Sequence, residues 1–128
     1  MLSRIHHIAI ICSNYKISKQ IYTEVLGLTI IQEIYRVNRQ SYKLDLSLNG
    51  ELCIELFAFP NPPNRPSYPK STGLRHIAFE VENLQSEIDR LTSLGIIVEH
   101  LRTDEFTGKR FAFFKDPDHL PIEIYEIN

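Results

Sequence analysis

Along the chain, apolar residues twice switch between a strand-like and a helix-like period, and the switches come in the same order both times. The segment 6–11, H-H-I-A-I-I, reads as a strand, and 75–80, R-H-I-A-F-E, reads as another. A helix follows each. In the first, Ser13 is the expected N-cap, Ile17, Ile21 and Val25 form a stripe, and Gly27 closes the C-terminal end. In the second, Asn83 caps, Leu84, Ile88 and Leu91 form the stripe, and Gly95 closes. β-rich apolar stretches come next, at 28–34 and 96–101. Each half then ends in two further strands: 43–48 and 52–59 around Asn49-Gly50, a strong hairpin signal, and 110–114 and 121–127 around D-P-D-H. The expected fold is α+β, two tandem βαβββ modules building mixed sheet within one domain, 1–128.

The repeat has a nearly constant offset. His7 and His76 lie 69 residues apart, and Gly27 and Gly95 lie 68 apart. Module 1 is expected to cover about 4–59 and module 2 about 74–127. Between them, 60–69 holds five prolines in ten residues, which cannot enter a sheet interior and reads as a linker.

Composition narrows the function classes. A content of 43% hydrophobic and 23% charged residues is that of a folded globular chain. The net charge is −2 and the basic residues are scattered, so nucleic acid is not an expected partner. No apolar run approaches the ~20 residues that span a bilayer, and the opening Met1-Leu2-Ser3-Arg4 has no signal-peptide pattern. Cys12 and Cys53 form no C-x-x-C pair and read as small core residues of a reducing compartment, so a cytoplasmic protein is expected.

The offset also relates two carboxylates. Glu55, in C-I-E-L-F, and Glu123, in P-I-E-I-Y, are 68 apart, each between aliphatic neighbours where a charge must be paired or metal-bound. Each histidine precedes its module's glutamate by a similar interval, 48 and 47 residues. A pseudo-two-fold repeat would bring His7, Glu55, His76 and Glu123 to one N₂O₂ site for Zn²⁺, Ni²⁺, Co²⁺, Mn²⁺ or Fe²⁺. If the cation is six-coordinate, two positions remain for water or substrate. His6 is less favoured, since strand alternation turns it away from His7 and the repeat puts Arg75 in its place. His100 and His119 have no counterpart and read as surface or turn residues. Taken singly, each candidate has a plainer reading: a hydrogen-bonded core histidine, or a glutamate pointing to solvent.

These residues carry a family likeness. H-H-I-A-I at 6–10, I-Y-T-E-V-L-G-L at 21–28, R-H-I-A-F at 75–79 and D-P-D-H-L-P-I-E-I-Y-E at 116–126 resemble the vicinal oxygen chelate superfamily, the glyoxalase I, bleomycin-resistance and dioxygenase group. The resemblance implies an open-barrel domain, a divalent metal ion, a small-molecule substrate and a homodimer, with ligands drawn from one chain or two. Ring-cleaving dioxygenases and fosfomycin-resistance enzymes use two histidines and one glutamate. Glyoxalase I and the acyl-CoA epimerases keep a fourth ligand where Glu55 stands. The branch so implied moves a proton beside a carbonyl through an enediolate, with Glu123 as first-choice base and Glu55 as second.

Three positions depart from the family pattern. Glutathione-using relatives tend to carry an arginine and an asparagine where this chain has Ile11 and Phe59, which puts glutathione use in doubt. A common glycine is replaced by His119, a neutral change if the backbone there is not left-handed.

Arg36 and Arg39 after the second strand, and Arg110 at the start of the strand leading toward Glu123, are candidate anion contacts, Arg110 preferred. Each could equally be a solvated loop charge. The leading expectation is a glyoxalase-I-like lyase, isomerase or epimerase. The same scaffold also serves metal-dependent dioxygenases and thiol transferases, and non-enzymatic binders of antibiotics.

Overall fold

The computed structural model describes all of residues 1–128. Strand β1 (Ile8–Cys12) leads to helix α1 (Tyr15–Gln20), whose cap is Asn14, one residue later than the expected Ser13. Asn14 has extended dihedrals, and its side chain accepts from the Ile17 amide at 3.1 Å. The helix then widens into a π-helical turn, Ile21–Val25, where the Leu26 amide bonds back five residues to Ile21 at 2.9 Å. Ser18, Tyr22 and Val25 face the core, while Ile17, expected there, is 48% exposed. Gly27, at φ +77°, ends the element in a conformation that favours glycine.

Strands β2 (Thr29–Arg36), β3 (Ser41–Leu48) and β4 (Glu51–Ala58) complete the first sheet in the order β1-β4-β3-β2. β1 runs parallel to β4 and the other pairs are antiparallel. Asn49 and Gly50 both have positive φ, as the hairpin turn between β3 and β4 requires. One sheet face packs α1 onto Ile10, Cys12, Leu44, Leu46, Ile54 and Leu56, all nearly inaccessible. By alternation the other, open face carries Ala9, Ile11, Lys43, Asp45, Glu55 and Phe57.

The second unit repeats this plan with β5 (Ile77–Val81), α2 (Leu84–Ser93), β6 (Arg102–Thr103), β7 (Arg110–Lys115) and β8 (Pro121–Glu126), in the order β5-β8-β7-β6. Asn83 caps α2 by accepting from the Ser86 amide at 2.9 Å, and Leu84 and Leu91 are fully buried. The stretch 96–101, expected as a strand, is not one. A single bond ties it to β7, from the Glu99 amide to the Phe113 carbonyl at 2.8 Å, and the ladder forms only at Arg102 and Thr103. This edge segment has one neighbour, and its apolar Ile97 is 88% exposed, so little burial holds it in register.

Both halves are thus α+β, each an open four-stranded mixed sheet with one helix-covered face. The chain divides into compact units Met1–Asn64 and Arg65–Asn128, with the division inside the proline-rich stretch. No helix is long and apolar enough to cross a membrane.

Candidate metal centre

In the first unit, Glu55 is on β4 opposite Ala9 of β1, and His7 immediately precedes β1. His7 Nε2 stands 3.3 Å from Glu55 Oε2. Glu55 is only 8% exposed, flanked by buried Ile54 and Leu56, so its charge needs partners. It has a second one in Lys43, whose Nζ is 3.5 Å from Glu55 Oε1 and 3.0 Å from Asp45 Oδ1. His6, expected on the opposite face, meets His7 instead, with the two Nδ1 atoms 2.8 Å apart. Both histidines precede β1, so strand alternation does not govern them. The contact occupies the ring nitrogen of His7 turned away from Glu55 and fixes the imidazole, as partners of metal-binding histidines do.

The second unit has the same pair in a different setting. His76 Nε2 lies 3.0 Å from Glu123 Oε2. Glu123 is flanked by Ala78 of β5 and Phe113 of β7. Phe113 meets the His76 ring edge to face at 5.1 Å, and His76 Nδ1 is buried with no hydrogen-bond partner. Beyond the Glu123 contact, a phenyl ring rather than a second hydrogen bond packs against the imidazole.

Two donors bound at right angles to one cation, each at 2.0–2.2 Å, are about 3 Å apart. The separations of 3.3 and 3.0 Å between imidazole nitrogen and carboxylate oxygen fit that arrangement. Nitrogen and oxygen donors of this kind suit borderline divalent metals. The same separations let an imidazole N–H donate to the carboxylate, which holds each pair in place. Each unit supplies one such pair, and neither gathers three His, Cys, Asp or Glu side chains at a single point.

Arg36 lies over Phe57, its guanidinium carbon 5.2 Å from the ring centroid, with Nε buried and unpartnered. It lines a shallow open depression of about 400 Å³ with Val37, Asn38 and Arg39. Arg110 is placed otherwise than expected. Its guanidinium grips Glu126, with Nη2 2.5 Å from Oε1 and Nε 3.1 Å from Oε2. By alternation along β7 and β8 both residues belong to the face opposite Phe113 and Glu123. Arg110 is therefore tied up in an ion pair and turned from the His76–Glu123 pair.

Sequence reasoning missed Arg102. Paired with Phe111 on β6, it projects on the His76–Glu123 face, its guanidinium carbon 5.2 Å from the Phe111 centroid and 5.1 Å from that of Phe113. Its signal was the alternation of Phe111 and Phe113, which needs the true register of β6 to become readable.

The profile of the Glyoxalase/Bleomycin resistance protein/Dioxygenase superfamily matches residues 4–124. The chain is 57% identical over 126 residues to the uncharacterized protein YwkD of Bacillus subtilis (strain 168), covering 98% of each chain. The crystal structure of a glyoxalase family protein from Enterococcus faecalis matches with a TM-score of 0.89 and 46% identity, over 96% of this chain and 97% of that one. At lower identity the fold alone is shared. A trypanothione-dependent glyoxalase I of Leishmania major has a TM-score of 0.75 at 22% identity, covering 98% of this chain and 87% of that one. A mutant of the fosfomycin resistance protein FosX of Listeria monocytogenes, in complex with Mn(II) and a dihydroxypropylphosphonic acid, has a TM-score of 0.77 at 18% identity, covering 100% of this chain and 95% of that one.

Proposed function

Because the chain belongs to the Glyoxalase/Bleomycin resistance protein/Dioxygenase superfamily, we propose that it is a metal-dependent, glyoxalase-I-like lyase, isomerase or epimerase acting on a small oxygenated molecule. His7 and Glu55 of one module and His76 and Glu123 of another hold one divalent cation, the modules coming from a single 128-residue domain or from two chains of a homodimer. The observation that carries this reading is the doubled pair, an imidazole nitrogen 3.3 Å and 3.0 Å from a carboxylate oxygen at corresponding places in the repeat.

When bound, the cation supplies Lewis-acid polarisation of a substrate carbonyl. Glu123 takes the proton from the adjacent carbon and Glu55 is the second base, both carboxylates standing among apolar strand neighbours. His6 and Phe113 keep the two imidazoles oriented. Arg36, on its Phe57 platform, is a contact for the substrate. Ile11 and Phe59 offer no charged or amide partner for a γ-glutamyl group, which favours a substrate other than a glutathione adduct. The protein acts in the cytoplasm, without nucleic acid or membrane as partner.

A second reading has an observation of its own. Lys43 beside Glu55 can neutralise that carboxylate, leaving His7, His76 and Glu123 as a two-histidine, one-carboxylate set suited to oxygenase or thiol-transfer chemistry.

Elemental analysis of wild type beside Glu55→Gln and His76→Ala, each checked for folding by circular dichroism, separates these readings. About one equivalent of transition metal per site, lost in both variants, supports the four-ligand enzyme. Loss in His76→Ala alone supports the three-ligand reading. Negligible metal after reconstitution would leave a binding protein without metal chemistry.

A further inference from the structure

We infer that Arg102 is a specificity-determining residue, selecting substrates that carry an oxyanion, carboxylate or phosphoryl, beyond the atoms held at the candidate metal centre. The inference rests on the proposed function for what the remainder of the substrate does.

Every residue concerned belongs to the second unit, Arg65–Asn128. Arg102 is the cross-strand partner of Phe111, so its side chain shares the open face with Phe111, Phe113 and Glu123. Its guanidinium carbon is 5.2 Å from one phenyl centroid and 5.1 Å from the other. Arg90 and Arg110 pair with Glu87 and Glu126, whereas Arg102 has no carboxylate partner. An arginine lying on aromatic rings is common on protein surfaces and by itself signifies only packing. Here the ring that holds the guanidinium also meets the metal-site imidazole, Phe113 to His76 at 5.1 Å. Guanidinium, phenyl and imidazole thus form one continuous wall, and the cation is within about 10 Å of the His76 ring, the two 5.1 Å contacts setting that limit.

Three physical consequences follow. The planar group is held in place, so an incoming oxyanion need not order a free side chain. Its N–H donors stay available at the rim of the rings for a bidentate contact. The apolar wall excludes water on one side, which strengthens the attraction. A short substrate with chelating oxygens at one end and an anionic group at the other would span this wall.

The test uses the full chain reconstituted with Mn²⁺ and three probes that share an α-hydroxy-acid head: lactate, malate and 3-phosphoglycerate. By calorimetry, wild type is expected to bind malate or 3-phosphoglycerate about tenfold more tightly than lactate. Preference for malate identifies a carboxylate and preference for 3-phosphoglycerate a phosphoryl group. Arg102→Gln removes the preference and leaves lactate binding unchanged, Arg102→Lys keeps part of it, and Arg110→Gln keeps all of it. Equal binding of the three probes to wild type, or a preference that survives Arg102→Gln, overturns the inference.

A metal-free arm keeps this outcome separate from that of the proposed function. Malate or 3-phosphoglycerate should move the backbone amide resonances of Arg102, Phe111 and Phe113 in wild type and not in Arg102→Gln, even if the protein takes up no metal. No movement overturns the inference while leaving chelation by the metal site intact.

Discussion

Asp45 and Phe113 hold corresponding places in the two sheets, each the cross-strand neighbour of its module's glutamate, Asp45 of Glu55 and Phe113 of Glu123. The two imidazole–carboxylate pairs therefore sit in unlike surroundings. One glutamate is set in a charged cluster and the other against an aromatic wall.

Lys43 stands 3.5 Å from Glu55, so under the proposed function its ammonium would compete with a divalent cation for that carboxylate. Lys43→Gln is expected to raise divalent-metal affinity about five- to tenfold, the size of one partly screened charge. Competition against a chelating dye measures it. A fall in affinity would instead make Lys43 a residue needed to position Glu55.

Acid sensitivity should be traceable to Glu33. Its carboxylate accepts from Lys19 at 2.7 Å and from the Tyr15 hydroxyl. The hydrogen bond from Lys19, then that from Tyr15, holds it below the ordinary glutamate range. A depressed carboxylate contributes stability above its unfolded pKa and loses it as pH falls through the folded value, from below about pH 5. Glu33→Gln should narrow the gap between urea midpoints measured near neutrality and near pH 4, and an unchanged gap would assign the acid response elsewhere.

His119 has φ +69°, in the left-handed region that glycine adopts most easily. The substitution relative to the family's common glycine is therefore strained rather than neutral. His119→Gly is expected to stabilise the protein by about 0.5–1 kcal/mol, read from urea unfolding.

The same turn hangs on Asp116, which is 4% exposed and whose Oδ1 accepts from the Asp118 and Leu120 amides, both at 2.9 Å. Asp116→Ala leaves these donors without their acceptor at the entry to β8. The expected cost is about 1–3 kcal/mol in thermal or urea unfolding, with a further loss of metal affinity if Glu123 moves with the strand.

Much of the protein was legible in residue order. The nearly constant offset, 68 or 69 residues, between His7 and His76, Gly27 and Gly95, and Glu55 and Glu123 encodes a duplicated module, because strand and helix periods are local properties. The pattern grouped His7, Glu55, His76 and Glu123 as one set; that His7 stands beside Glu55 and His76 beside Glu123 within each unit is read from the tertiary structure, since each histidine precedes its strand.

Other features depended on packing. The buried stripe of the first helix runs through Ser18, Tyr22 and Val25 rather than Ile17 and Ile21, a choice made by fit against the sheet. The edge stretch 96–101 reads apolar yet pairs too little to be a strand, because edge pairing depends on what covers it. Arg110 and Arg102 are both cations near apolar runs, and no composition rule separates them. Strand register does, since one residue of shift moves a side chain from one face to the other: it sends Arg110 to Glu126 and Arg102 to the wall beside His76.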